Sequence, residues 1–183
     1  MKKIALLAIA TSAAIASPAM AQVTGTITLN GNVASKCSVS PSNGNTFAQT
    51  VDFLELSQAN GTLRNGLATN FGTKSATVVC NTGTPMVSVD ANPLATGGAA
   101  ATGYANTINY TASVAVVATG TNNGPFTNDT IAVATPAAAV GSALANSANN
   151  VNITTSGYGA GAASNILVAG AYTGNIIVVI SPN

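Results

Sequence analysis

Few side chains in this chain are equipped for covalent or acid–base chemistry. There is no histidine in 183 residues, and the carboxylates are Asp52, Glu55, Asp90 and Asp129. Asp52 and Glu55 are the closest pair, but residues three apart on a strand point to opposite faces and cannot share a substrate. No serine has an identifiable base beside it, and the lysines read as solvated. Asp90 and Asp129 lack the clustered oxygen ligands that calcium requires. The sequence therefore predicts no enzyme, no cofactor, no metal centre and no small-molecule substrate. Its one clear covalent feature is the pair Cys37 and Cys80, an even count that predicts a disulfide if the chain is exported. That loop would constrain the unfolded chain by about 4 kcal/mol in the entropy model. Two buried free thiols are the alternative.

Export is written into residues 1–21. Lys2 and Lys3 precede an apolar run over residues 4–15, and Ser17, Pro18 and Ala19-Met20-Ala21 complete the three-part layout of a secretory signal peptide. The run is shorter than the roughly twenty residues a membrane span requires. Cleavage after Ala21 leaves 162 residues, enough for one domain with a sizeable core. In the remainder, Lys36, Arg64 and Lys74 face the four carboxylates, a net charge of −1. So little charge does not keep copies apart, and the surface is suited to packing against its own kind. Nothing basic enough to bind nucleic acid or an anionic membrane is present.

The elements that position these residues read as strands. Residues 23–33, V-T-G-T-I-T-L-N-G-N-V, alternate with period two: Val23, Gly25, Ile27, Leu29, Gly31 and Val33 on one face, Thr and Asn on the other. At about 3.3 Å per residue this strand would span roughly 36 Å. Further strands are expected over residues 47–56, 74–81, 86–90, 108–117, 130–134, 151–155 and 165–168. Asn92-Pro93 is expected to end the fourth of these eight, and residues 136–148 to form a short helix or a loop. Residues 171–180, A-Y-T-G-N-I-I-V-V-I, are apolar on both faces at their end and read as a central, fully buried strand. Short strands between turn signals, with a cysteine pair joining early strands, predict an all-β, antiparallel sandwich of the immunoglobulin kind. The closing strand would leave an edge open, and the first strand is one more than its own domain needs.

Three stretches carry a resemblance to a known family: V-T-G-T-I-T-L-N-G-N-V-A-S-K-C at 23–37, A-T-V-V-C-N-T-G-T-P at 76–85 followed by M-V-S-V-D, and the closing A-Y-T-G-N-I-I-V-V-I. They resemble the spore coat protein U family, which includes the major subunits of archaic chaperone-usher pili. The likeness is loose between residues 95 and 163, and Gly174 stands where the family often has an acidic residue. The resemblance implies an incomplete sandwich over residues 35–183 and a donor strand over residues 22–34. Partners would be a periplasmic chaperone, an outer-membrane usher and identical or related subunits. The molecule would be secreted through the periplasm into a cell-surface pilus that supports adhesion and biofilm formation. Val23, Ile27, Leu29 and Val33 would enter a neighbour's groove, edged by Tyr172, Ile176, Val178 and Ile180. Two other readings stand beside it: a self-contained secreted sandwich that binds without polymerising, and a carbohydrate-binding module. Against the latter, Tyr104, Tyr110, Tyr158 and Tyr172 are scattered and form no aromatic platform.

Overall fold

A computed structural model describes residues 25–41, 44, 47–121 and 124–183. The chain divides into two units, Met1–Val33 and Ala34–Asn183. The expected signal segment and Val23 lie outside the described residues. In the first unit, residues 25–33 form no strand, and Ile27, Leu29 and Val33 are 87%, 89% and 83% exposed. The strand expected there is not formed in the single chain. An isolated strand has no neighbour to take up its backbone hydrogen bonds or cover its apolar face.

The second unit is nearly all β. Its strands are β1 (Cys37–Ser40), β2 (Lys74–Cys80), β3 (Met86–Ala95), β4 (Tyr104–Ala105) and β5 (Thr107–Val116), with one short helix, α1 (Leu67–Phe71), before β2. They continue as β6 (Phe126–Asp129), β7 (Thr135–Ala139), β8 (Val151–Gly159), β9 (Ile166–Leu167) and β10 (Thr173–Ser181). The main sheet is antiparallel and runs β1-β2-β8-β5-β3-β10, with β6 against β5 and β7 against β3. β5 turns the corner: its start pairs with the end of β3, and the rest lies between β8 and β6. The sheet is thus nearly closed, barrel- or sandwich-like, with β1 and β10 as its two edges.

Alternation builds the core. Ile108, Tyr110, Ala112, Val114 and Val116 of β5 point inward, as do Val151 and Ile153 of β8. On β3 the inward set is Val87, Val89 and Ala91, and then Leu94. The change of parity marks a bulge. Between Asn92 and Ala95 β3 has one residue more than β10 has between Asn175 and Thr173. Pro93 sits in this bulge, so Asn92-Pro93 does not end the strand as expected: a proline is tolerated where the ladder is already interrupted. Gly174 lies opposite, and a Cβ there would stand 2.6 Å from the Pro93 carbonyl oxygen. No acidic side chain fits that position.

Three other expectations need correction. Residues 47–56 form no strand, although Phe47, Val51, Phe53 and Leu56 pack on the core. Their backbone finds scattered partners instead, such as Arg64 Nη2 donating to the Phe53 carbonyl at 2.9 Å. Residues 130–134 are the turn between β6 and β7. The Asp129 carboxylate accepts from the Ile131 N–H at 3.1 Å, turning the chain although T-I-A-V-A alternates. Thr135–Ala139, read as part of a helix or loop, is β7, because β3 offers it a ladder.

Candidate functional site

β10 is bonded to β3 on one side, and among the described residues no strand lies on the other. It is therefore an edge strand, not the central, fully buried one expected. Its apolar pattern splits by face: Ile176, Val178 and Ile180 pack on the core, while Ile177 and Val179 are 47% and 51% exposed. An open edge of this length and apolarity is normally blunted with charge, proline or a covering loop.

Three adjoining hollows run along the free edge. The first, about 420 Å³, lies between Cys37, Val39 and Val78 on one wall and Ile176, Val178 and Ile180 on the other. The second, about 370 Å³, is walled by Phe47, Phe53, Phe71, Tyr110 and Tyr158. The third, about 710 Å³, lies between residues 50–57 and 167–174. Phe47 and Ile176 line both the first and second hollows, and Phe53 and Gly174 both the second and third, so they form one slot. Its length follows β10, nine residues or roughly 30 Å at about 3.3 Å each.

Side-chain geometry holds the walls. The Cys37–Cys80 disulfide, expected from the sequence, is formed with an S–S distance of 2.04 Å between directly paired positions of β1 and β2. In the middle of the slot the rings of Tyr110 and Tyr158 stack at 5.3 Å, and Phe53 meets Tyr158 edge-on at 5.8 Å. The Tyr110 hydroxyl lies 2.8 Å from the Asn92 carbonyl and 3.1 Å from that of Asn175, where it can donate across the bulge to either. Burial, and then the neighbouring Tyr158, push its pKa up to about 12. Tyr172, another residue expected here, lines the third hollow, and its hydroxyl contacts the carbonyls of Ala105 and Val168 at 3.0 and 2.9 Å.

All four predicted edge residues, Tyr172, Ile176, Val178 and Ile180, therefore line the slot. Ile27, Leu29 and Val33 belong to the other unit and are described above. Sequence reasoning missed the opposite wall, Val39, Phe47 and Phe53, and the floor, Tyr110 and Tyr158. All but Val39 shared one signal, aromatic content: five of the eight Phe and Tyr residues line the second hollow.

Asp52 and Glu55, expected on opposite faces of a strand, both line the third hollow, because residues 47–56 form no strand. Asp52 Oδ1 accepts from the Leu54 N–H at 2.8 Å, and Glu55 Oε1 accepts from the hydroxyl and N–H of Ser57. Those Ser57 bonds hold the Glu55 carboxyl below its ordinary range. Among the described residues no three potential ligands cluster to hold a metal ion. What the slot offers is a free strand edge above apolar hollows, suited to an extended segment with alternating apolar side chains. Five antiparallel steps separate β1 from β10, so the two edges run in opposite directions. A single strand laid between them would be antiparallel to one and parallel to the other. No family model matches the sequence, and no curated protein or solved structure is significantly similar to it.

Proposed function

We propose that this chain is a structural subunit of an extracellular fibre, completed by a β-strand from the next copy. The observation that carries the reading is the apolar slot along the free edge of β10, about one long strand in length. The chain also supplies a matching ligand: residues 25–33 hold Ile27, Leu29 and Val33 at alternating positions, exposed and outside any strand. Burying those three side chains in a neighbour would stabilise the junction by about 1.5 to 3 kcal/mol each. Each new backbone bond would add about 0.5 to 1.5 kcal/mol. The resemblance to pilus subunits adds a route: export to the periplasm, capture by a chaperone that lends a strand, and exchange of that strand at an outer-membrane usher. The finished fibre would support attachment and biofilm formation.

The test is the oligomeric state of the mature protein with and without residues 22–34, read by size-exclusion chromatography and electron microscopy. The intact chain should polymerise. The truncated chain should remain monomeric and be stabilised by a free peptide of residues 22–34. An intact protein that stays monomeric, with its leading segment protected from protease, would establish the self-contained sandwich instead.

A further inference from the structure

Within residues 25–33 lies a chemically weak bond arrangement, Asn30-Gly31. Neither residue has a hydrogen-bond partner among the described residues. A Cβ built at Gly31 would meet nothing within 4 Å, so the backbone there is uncrowded. With no Cβ, Gly31 leaves its own N–H accessible to the Asn30 side chain and the backbone free to rotate. Two other Asn-Gly pairs are held. At Asn60, the side-chain Oδ1 accepts from the N–H and hydroxyl of Thr62 at 3.1 and 2.8 Å, and the Gly61 N–H donates to the Gln58 carbonyl at 2.9 Å. At Asn65, Gly66 is fixed at φ +82° as the N-cap of α1.

We propose that Asn30-Gly31 is a self-modification site that limits how long an unassembled subunit stays able to donate its strand. This rests on the strand-donation reading above. The Gly31 amide nitrogen attacks Cγ of Asn30; the new N–Cγ bond forms as the Cγ–Nδ2 bond breaks. Ammonia leaves, carrying the proton lost by Gly31, and a succinimide remains. Water then adds to one of its two carbonyls, giving aspartate or isoaspartate at position 30. Isoaspartate routes the main chain through Cβ and Cγ, adding a backbone atom between Leu29 and Val33. That destroys the register in which Ile27, Leu29 and Val33 share one face. Pairing inside a neighbour's slot would engage the backbone and prevent the required rotation, so assembled subunits are shielded.

The experiment incubates the mature protein, residues 22–183, at mildly alkaline pH as free subunit and as polymer, and follows deamidation by peptide mapping and ammonia release. In free subunits Asn30 should convert faster than Asn60 or Asn65. Conversion should be slowed about tenfold or more in polymer, and by a similar factor in Gly31→Ala, where a Cβ hinders the attack. Asn30→Gln should abolish it. Aged free subunits should fail to donate while still accepting a free peptide of residues 22–34. Equal rates in free and polymerised protein, or undiminished donation after full conversion, overturn the inference and leave strand donation standing. If the fresh chain never polymerises, the strand-donation reading fails and this inference falls with it.

Discussion

Two side chains do work normally left to backbone. β2 and β8 pair only from Lys74 to Ala76, yet the ladder is prolonged by Asn150: its Oδ1 accepts from the Val78 N–H at 2.8 Å and its Nδ2 donates to the Val78 carbonyl at 2.7 Å. Asn150 is fully buried. Asn150→Ala should destabilise the domain by roughly 2 to 6 kcal/mol in urea unfolding, since two buried backbone groups lose their partner at about 1 to 3 kcal/mol each. Tyr110 makes a pH prediction. Its pKa is raised from 10.0 to about 12 in the folded state, so the protein binds that proton more tightly when folded. The associated stability is complete below pH 10 and is lost as pH climbs through about 12. The urea midpoint should fall across this window, and Tyr110→Phe should remove that component of the fall. Neither role was legible in the sequence, because a polar residue in an alternating segment gives no sign of which distant carbonyl it will meet.

Among the elements, strands defined by plain alternation and β-branched residues were readable: β2, β5 and β8 fall where the pattern puts them, with β8 longer than expected. Failures occurred where a neighbour, not the local pattern, decides. β7 is alanine- and proline-bearing and becomes a strand because β3 offers it an edge. Residues 47–56 have strand-like composition and find no ladder. Helix α1 is one turn with neither an acidic first turn nor a basic last one, and left no signal. The bulge of β3 shows how closely two elements can be matched. Gly174→Ala would drive a methyl group into the carbonyls of Asn92 and Pro93, at 2.9 and 2.6 Å. Separating β10 from β3 there should cost about 1 to 3 kcal/mol, measured by denaturant unfolding, with hydrogen exchange rising at residues 173–176.

For the whole molecule, the all-β antiparallel class and the disulfide followed from the sequence, and so did one edge of the slot, while its other wall and its floor did not, since they form only when both sheet edges and residues 47–57 face one another. The disulfide ties β1 covalently to β2, the strand it pairs with from Cys37 to Ser40. Replacing both cysteines by serine should lower stability by about 2 to 4 kcal/mol in chemical unfolding. It should also loosen the β1 wall of the first hollow, read as faster hydrogen exchange at residues 37–40. The opposed directions of β1 and β10 carry a consequence for assembly. On the strand-donation reading, a leader laid there would run parallel to one rail and antiparallel to the other, and donor and acceptor are different patches of the chain, so the contact would be heterologous and would propagate instead of closing into an isologous dimer. A filament built this way has polarity: one tip presents a vacant acceptor, the other an unengaged leader. Growth and capping would then be separate events at unlike ends.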